Sequence, residues 1–260
     1  MATGLNFKTD WNNAAGDYAK HRAGFADWFF DRMEAAGLFR SGMRVLDLAT
    51  GTGTLARGFA KRGGIVTGLD IAPEMMAQAK ALDAQAGVSV NYVVAKAEAT
   101  EQPSAHFDLV TAGTCWFWFD GDLAAAEAKR VLKPGGHLMI AMLAWLPLKG
   151  NVVAATERVI EKHNPGWKLG NYAPGGTRYL ADLANGGFGS REMFAVDYDI
   201  PYSHEAWRGR IRASAGVSAS LAPDAVAAFD AEHAVMLSRE YPDDPMQVPH
   251  RVVATWGRKS

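Results

Sequence analysis

Between residues 43 and 144, short apolar runs alternate with segments whose apolar residues have helical spacing, and this alternation constrains the fold most strongly. The apolar runs are rich in Val, Ile and Leu on both side-chain faces, which is typical of strands buried on two sides. Such strands, separated by helices, predict a parallel sheet covered by helices, and so place the chain in the α/β class. The predicted strands cover residues 43–49, 65–70, 88–94, 107–112 and 137–144, and the predicted helices cover residues 54–62, 73–86 and 120–132.

Outside this alternation the sequence predicts mainly helices, which we expect to form a cap over the sheet. Two further segments, 190–203 and 250–259, alternate as strands, and KPGG at 133–136 is predicted to be a tight turn. A chain of 260 residues with 48% hydrophobic residues is long enough for one α/β domain with added elements, whereas two full domains would be cramped. We therefore expect a single domain over residues 1–260, with a cap formed by about 1–40, 145–187 and 203–245.

Composition narrows the classes of function. Lys and Arg together number 27 and Asp and Glu 28, so the surface is not predicted to neutralise phosphates and no nucleic-acid partner is expected. The single cysteine, Cys115, excludes an internal disulfide and a multi-cysteine metal site, and no metal is predicted. The N-terminus lacks a basic segment followed by an apolar core, and the longest apolar run is too short to span a membrane. We expect a cytoplasmic protein without membrane contact, either a monomer or a homodimer.

The loop after the first predicted strand, Thr50-Gly51-Thr52-Gly53, favours a nucleoside ligand. In open α/β sheets, ligands bind beyond the carboxyl ends of the strands, next to the first strand. Glycine lets a ligand approach the backbone closely, and the free amides at the following helix start favour a negative group. Asp70 ends the second predicted strand, 19 residues after Gly51, where a carboxylate can accept hydrogen bonds from a ribose diol. The loop and the acid together predict a cofactor that contains adenosine.

Two cofactors contain such an adenosine, NAD and S-adenosyl-L-methionine, and Gly51-x-Gly53-x-x-Ala56 also fits the dinucleotide pattern. Three features favour S-adenosyl-L-methionine. Asp47 lies four residues before Gly51, where an acid would oppose a pyrophosphate but attract the ammonium group of a methionyl tail. The segment AKAEATEQP, after the third strand, offers a backbone amide and an acid to an adenine edge. No second half of the chain is suited to receive a nicotinamide.

These motifs resemble those of the class I S-adenosylmethionine-dependent methyltransferases, in particular the methyltransferase type 11 group. VLDLATGTG resembles their first motif, with Ala49 in the place of the first glycine, and VTGLDIAPEMMAQAK resembles their second-strand motif. The resemblance implies a Rossmann-like, mostly parallel seven-stranded sheet in the order 3-2-1-4-5-7-6, with the last strand antiparallel. It also implies that Tyr18 belongs to an N-terminal segment that closes over the cofactor. The predicted cofactor contacts are Tyr18, Asp47, Ala49, Thr50, Gly51, Gly53, Asp70, Ile71, Met75, Ala97, Glu98 and Thr114.

The acceptor is predicted to lie beside the aromatic stretch GTCWFWFD, which directly follows the fourth strand. Its rings would form an apolar pocket that holds a planar acceptor or steadies the sulfonium cation. The Asn/Asp-Pro-Pro-aromatic motif of enzymes that methylate amino groups of nucleic-acid bases is absent from this stretch. Arg212, together with Arg208 on the same helix face, could clamp an acidic group of the acceptor. The predicted acceptor contacts are His21, Trp116, Phe117, Trp118, Arg212 and His250.

The sequence therefore predicts an enzyme that transfers a methyl group from S-adenosyl-L-methionine to a small molecule. In-line displacement needs alignment and exclusion of water, and it needs a general base only if the nucleophile arrives protonated, so no catalytic residue is predicted. An NAD(P)-dependent oxidoreductase, a methyltransferase that acts on RNA or protein, and a binding protein that has lost activity are the alternatives at this point.

Overall fold

The computed structural model describes residues 20–21, 23–167, 170 and 177–260, and each structural statement below refers to these residues. Its seven strands are β1 (Arg44–Leu48), β2 (Ile65–Asp70), β3 (Asn91–Val94), β4 (Phe107–Gly113), β5 (Leu132–Trp145), β6 (Gly189–Tyr202) and β7 (Met246–Arg258). They form one sheet in the order β3-β2-β1-β4-β5-β7-β6. Strands β1 to β5 are parallel, whereas β7 is antiparallel to both β5 and β6. The predicted Rossmann-like topology is confirmed.

Helices cover both faces of this sheet, as the doubly apolar strands require. The helices are α1 (Asp27–Ala35), α2 (Thr54–Lys61), α3 (Pro73–Ala86), α4 (Gly121–Val131), α5 (Val152–His163), α6 (Thr177–Asn185), α7 (His204–Arg212) and α8 (Pro223–Glu240). Val45 packs in a buried cluster with side chains of α1 and α2, and its neighbour Leu46 packs in a second cluster with side chains of α4 and α6. Successive residues of a strand point to opposite faces, so β1 contributes to two separate cores.

A third buried cluster lies among α5, α7 and α8, at the ends of β6 and β7. Trp207 and Phe229 are at its centre and are fully buried, while Tyr202 and Val248 bring the two strands into contact with it. Helices α1 and α6, from segments that the sequence analysis assigned to the cap, pack instead on the two faces of the sheet. The single-domain division and the extent of the cap remain predictions.

The KPGG segment differs from its prediction. Residues 133–136 belong to β5, because Gly135 donates its backbone N–H to the carbonyl of Lys259 and Gly136 accepts from the N–H of Lys259. The strand bulges here, since Phe107 of β4 pairs with Leu132 and Leu109 pairs with His137. Gly135 has φ +80°, a conformation that suits glycine. The turn signal therefore marks an irregularity within a strand rather than the end of one.

Three further observations concern the start of α1, the length of the helices and the grouping of metal-ligating side chains. Residues 23–26 are extended or irregular and α1 begins only at Asp27, although the sequence predicts mainly helices before residue 43. None of the helices in the described part of the chain combines the length and apolarity that a membrane crossing requires. Within the same residues, no group of three or more His, Cys, Asp or Glu side chains is arranged to hold a metal ion.

Candidate cofactor and acceptor site

The loop between β1 and α2 follows a path that few residue types adopt easily. Ala49, Gly51 and Gly53 all have positive φ, at +46°, +57° and +78°. Gly53 is also the residue that precedes the first turn of α2, and a Cβ atom there would lie 2.6 Å from Oη of Tyr92. The second glycine of the motif is therefore required by the packing of β3 against the loop, as well as by its backbone angle.

Asp70 and Gly51 lie together, as the sequence spacing predicts. The carboxylate of Asp70 accepts hydrogen bonds from the backbone N–H of Gly51 at 2.8 Å and of Ala72 at 2.9 Å. Burial raises the pKa of Asp70, although these backbone hydrogen bonds act in the opposite direction. Each carboxylate oxygen still has acceptor capacity. Asp70 can therefore fix the glycine loop and accept hydrogen bonds from a ribose diol at the same time.

Asp47 lies deeper than its predicted role suggests. Its carboxylate accepts hydrogen bonds from the hydroxyls of Thr111 at 2.6 Å and Thr50 at 2.7 Å, and the residue is only 2% exposed. Burial raises its pKa to about 6, against the effect of those hydrogen bonds. The carboxylate thus joins β1, β4 and the glycine loop. Sequence reasoning missed Thr111, whose only signal was a polar residue inside an otherwise apolar strand.

A narrow crevice opens at this edge of the sheet. The glycine loop forms one wall, the ends of β4 and β5 form another, and the chain before α1 closes a third side. Thr114 has φ +58°, and its hydroxyl accepts a hydrogen bond from the N–H of Leu143 at 3.1 Å, which fixes the end of β4 against β5. Among the described residues, those that line the crevice are Ala23, Phe25, Ala49, Thr50, Gly51, Thr52, Thr54, Gly113, Thr114 and Leu143.

The predicted adenine contacts lie along the ends of β2 and β3. Ile71 is 69% exposed although it follows a buried strand directly, and such a side chain can cover the face of a planar base. Met75 is buried, and its methyl group lies 3.5 Å from the position of a Cβ on Gly51. Ala97 is buried, while the carboxylate of Glu98 accepts from the backbone N–H of Asp120 at 3.1 Å. The loop, the acid and the apolar platform together fit an adenosyl group.

The aromatic stretch after β4 forms a short 3₁₀ turn, Trp116–Trp118, whose rings are not among the described residues that line the crevice. Trp116 is 2% exposed and donates its indole N–H to the carboxylate of Asp182 on α6, at 3.0 Å. Phe117 and Trp118 pack at the margin of the same core, between the sheet, α4 and α6. These rings do not line the crevice, because the turn carries them to the face of the sheet that α4 and α6 cover.

Arg212 takes part in a network of ion pairs and is not among the described residues that line the crevice. Its guanidinium pairs with Asp230 at 2.9 Å and Glu205 at 3.1 Å, and Arg208 also pairs with Asp230. The arginine between them on the helix, Arg210, is 9% exposed, with its guanidinium carbon 4.8 Å from the centre of a Trp145 ring. The i, i+4 spacing identified the outer pair of arginines. The three-residue spacing from Trp207, an apolar residue of the same helix, was the signal for the inner one.

The two predicted histidines lie on the side of the crevice that the cap helices occupy. His250 is 3% exposed, its Nδ1 is 2.8 Å from the carbonyl oxygen of Val248, and its ring stacks on Tyr202. The hydroxyl of Tyr202 accepts from the backbone N–H of Ala23, a crevice residue, at 3.2 Å. His21 packs against α7, where a Cβ at Gly209 would be 2.2 Å from its ring.

Sequence reasoning missed the partners of these histidines, and one predicted contact falls outside the described residues. Trp145 is the cross-strand partner of His250 and donates its indole N–H to Glu157 at 2.8 Å. Glu157 is 3% exposed, so this acid is buried beside an aromatic group at the carboxyl end of β5. Tyr18, predicted to close over the cofactor, lies outside the described residues.

The sheet order, the glycine loop and the acid at the end of β2 are those of the Rossmann-like fold of class I methyltransferases. Residues 46–140 match the family model described as "Methyltransferase domain", so this part of the chain is similar to the class I S-adenosylmethionine-dependent methyltransferases. The ubiquinone/menaquinone biosynthesis C-methyltransferase UbiE of Laribacter hongkongensis is 40% identical over 129 residues, 47% of this chain and 52% of that protein. UbiE of Shewanella halifaxensis is 40% identical over 139 residues, 51% of this chain and 53% of that protein. The chain thus spans about half the length of the curated relatives it matches.

Solved structures extend the likeness of fold over most of the chain. The YcgJ protein of Bacillus subtilis has a TM-score of 0.57 and 19% identity, and covers 90% of this chain and 99% of its own. Phosphoethanolamine N-methyltransferase 2 of Haemonchus contortus, in complex with S-adenosyl-L-methionine, has a TM-score of 0.56 and 18% identity. The match covers 96% of this chain and 57% of that one. The [4+2]-cyclase SpnF has a TM-score of 0.55 and 22% identity, with 92% and 83% covered. At these identities the likeness shows the fold alone.

Proposed function

We propose that this protein is an enzyme that binds S-adenosyl-L-methionine and transfers its methyl group to a small-molecule acceptor by in-line displacement. The observation that carries the proposal is the hydrogen bond between the Gly51 N–H and the Asp70 carboxylate. It joins the glycine loop and the ribose-type acid into one surface at the carboxyl ends of β1 and β2, where open α/β sheets bind nucleosides.

The proposed cofactor contacts divide by chemistry. Asp70 accepts from the ribose hydroxyls, Ile71 and Met75 flank the adenine, and the Ala97 backbone and Glu98 meet its edge. Asp47 attracts the ammonium group of the methionyl tail. When bound, the cofactor supplies a methyl group on a positively charged sulfur. The complete proposed set is Tyr18, Asp47, Ala49, Thr50, Gly51, Gly53, Asp70, Ile71, Met75, Ala97, Glu98 and Thr114.

We place the acceptor between the crevice and the cap helices. His21 and His250 remain the proposed contacts there, and Arg210, Trp145 and Tyr202 join them. Aromatic faces beside buried polar groups suit a small planar molecule with a polar substituent. The crevice walls align the reacting atoms and exclude water, from which much of the acceleration of a displacement reaction can come. His250 is the candidate base if the acceptor arrives protonated, because an Nδ1–H donated to Val248 leaves Nε2 as the basic nitrogen.

The relatives support the cofactor more directly than the acceptor. The family match covers residues 46–140, which form the cofactor side of the sheet, whereas His250 and Arg210 lie beyond it. The C-methylating role in the name of UbiE is therefore not carried over to this chain.

We further propose that the protein acts in the cytoplasm, as a monomer or homodimer, without nucleic acid. Its net charge of −1 supports the absence of a nucleic-acid partner.

A thermal-shift comparison tests the cofactor. A ligand that binds only the folded state raises the melting temperature, so S-adenosylhomocysteine is expected to raise it and NAD is not. The reverse result would indicate an oxidoreductase.

Asp70→Ala is expected to weaken binding of S-adenosylhomocysteine in calorimetry by about 1.5–3 kcal/mol, the scale of a hydrogen bond to a charged group. Asp31→Ala, at an exposed acid of α1, is the matched control. Equal affinities for wild type and Asp70→Ala would remove the ribose assignment.

The acceptor can be sought by mass. Incubation of the protein and S-adenosyl-L-methionine with a fractionated metabolite extract should give one or more small molecules heavier by a CH₂ group, and the position of the new methyl identifies the atom attacked. Methyl groups that arise only on RNA or protein fractions would contradict the small-molecule proposal. A loss of product in Arg210→Lys and in His250→Gln, with binding of S-adenosylhomocysteine retained, would support the proposed acceptor side.

A further inference from the structure

An arginine side chain donates hydrogen bonds to the backbone of the glycine loop. Two guanidinium nitrogens of Arg57 donate to the carbonyl oxygen of Thr52, at 2.9 and 2.6 Å, and one of them lies 3.4 Å from the carbonyl oxygen of Gly53. A planar guanidinium that places two donors on one carbonyl restrains both the position and the tilt of that peptide. Thr52 lies between the two glycines of the loop, so this contact fixes the loop at its midpoint.

An acid holds the arginine itself, and a tyrosine holds that acid in turn. Asp83 of α3 pairs with Nε of Arg57 at 3.3 Å, and the hydroxyl of Tyr92 on β3 donates to the other oxygen of Asp83 at 2.7 Å. Asp83 is 3% exposed and the Arg57 side chain 12% exposed, so both charges are largely removed from water. Breaking a buried pair is costly, because the remaining charge loses its partner. The arginine is therefore fixed in one geometry by two elements outside the loop.

The loop needs such support because its backbone is not held by a regular ladder. Three residues in five, from Ala49 to Gly53, have positive φ. The oxygen of Tyr92 also occupies the space where Gly53 would carry a Cβ atom, so β3 restrains the loop at a second point. The described residues that line the crevice include none of Arg57, Asp83 and Tyr92. Asp83 is 3% exposed and the Arg57 side chain is 12% exposed, so we expect them to act on a ligand through the position of the loop.

We propose that Arg57, fixed by Asp83 and Tyr92, is the positioning residue that holds the glycine loop in its cofactor-binding conformation. The inference rests on the proposed function, because it assumes that this loop receives the cofactor. Affinity for the cofactor then depends on three side chains that do not touch it. The pre-organised loop loses little conformational freedom on binding, which is the physical source of the gain in affinity.

Calorimetry with S-adenosylhomocysteine and the full chain tests the proposal. Arg57→Met keeps an unbranched side chain but removes the guanidinium, and its Kd is expected to be at least about tenfold higher, the ratio for one hydrogen bond that involves a charged group. Arg57→Lys keeps one charged donor and should recover part of the affinity. Tyr92→Phe removes only the hydroxyl that fixes Asp83, and a several-fold rise in Kd is expected.

The matched control is Arg62→Met, at the carboxyl end of the same helix. Arg62 has a side-chain exposure of 18% and pairs with Asp27 and Asp31 of α1 rather than with the loop. Its loss should lower the melting temperature and leave Kd within about twofold, since no loop hydrogen bond is removed. If Arg57→Met does not fold, Tyr92→Phe decides the question, with the same measurement.

Three results would overturn the positioning role. The first is a Kd within about twofold of wild type for Arg57→Met or, if that variant does not fold, for Tyr92→Phe. The second is an equal loss of affinity in Arg57→Met and Arg62→Met. The third is an Arg57→Lys variant that binds no better than Arg57→Met. A wild-type protein that does not bind S-adenosylhomocysteine would instead remove the proposed function, and this inference with it. Binding by the wild type and all variants alike removes only the inference.

Discussion

At the scale of single residues, Ala49 has a strained backbone conformation within the glycine loop. The residue has φ +46°, in the left-handed region where a Cβ atom meets the backbone. The first motif of class I methyltransferases, which VLDLATGTG resembles, has glycine at this position. Ala49 therefore adopts a backbone conformation that glycine would adopt with less strain. Leu48, fully buried in β1, and Thr50, hydrogen-bonded to Asp47, hold the alanine in this conformation from both sides.

Ala49→Gly is expected to raise the free energy of unfolding by about 0.5–1 kcal/mol, because relief of the left-handed strain exceeds the added entropy of the unfolded chain. Chemical denaturation measures the change. Ala56→Gly, at a buried position early in α2, is the control, and it should lower stability by at least about 1 kcal/mol because glycine is unfavourable within a helix. A loss of stability in both variants would show that the alanine methyl at position 49 packs usefully.

Asp47 is the second residue whose chemistry has a measurable consequence. Its pKa of about 6 in the folded protein arises from burial, and an ammonium group placed beside it would favour the ionised form and lower that pKa. A ligand that prefers the ionised carboxylate binds more weakly when the carboxylate is protonated. Affinity should therefore rise as the pH increases through about 6 and level off above it.

Binding of S-adenosylhomocysteine, which carries the same ammonium group, should strengthen between about pH 5 and pH 7, by up to about tenfold for each pH unit below the pKa. Asp47→Asn should flatten this dependence. Calorimetry at several pH values, in buffers of different ionisation enthalpy, measures both the affinity and the proton released. A wild-type affinity that is constant over this range would contradict contact between Asp47 and the ammonium group.

At the scale of elements, the turn after β4 shows why the acceptor side was harder to predict than the cofactor side. The glycine loop and Asp70 are fixed by a spacing along the chain, because consecutive parallel strands bring their carboxyl ends together. The direction of Trp116 depends instead on a single 3₁₀ turn, which sends the ring under α6. Arg210 was missed for a similar reason, since its one sequence signal, the three-residue spacing from Trp207, gains its meaning from the burial of Trp207 in the packed helix.

Trp116→Ala is expected to lower the free energy of unfolding by about 3–5 kcal/mol, the usual cost of removing a fully buried large aromatic side chain. Affinity for S-adenosylhomocysteine should remain within about twofold in the folded variant, because the ring does not line the crevice. Phe117→Ala, at a half-buried ring of the same turn, should cost less. A Trp116 variant of normal stability that has lost methyl transfer would support the original prediction that this ring contacts the acceptor.

At the scale of the whole molecule, the sheet order followed from the sequence and the placement of the helices followed only in part. Apolar periodicity identified β1 to β5, of which β1, β2, β4 and β5 have buried residues on both faces and the edge strand β3 has none. The order of the strands came from the family resemblance. The KPGG bulge was missed because its partner, Lys259, lies near the far end of the chain. The sheet contacts of α1 and α6 are likewise tertiary, and amphipathic spacing alone does not reveal which surface a helix covers.

The single-domain prediction can be tested by unfolding. Strands β6 and β7 contribute side chains to the clusters on the sheet and also to the cluster among the cap helices. We therefore expect one cooperative transition, with tryptophan fluorescence and far-UV circular dichroism giving coincident curves in denaturant. Two separated transitions would show that α5, α7 and α8 form an independent unit.

The position of β7 between β5 and β6 has a consequence for biosynthesis. β7 follows the other six strands in the chain, yet it is the one strand in the described sheet to which β6 is hydrogen-bonded. On a translating ribosome, the 14 residues of β6 emerge before their neighbour exists. The nascent chain therefore carries an unpaired β edge until Met246–Arg258 has been made, and a chain stalled before this point would be a natural client for chaperones.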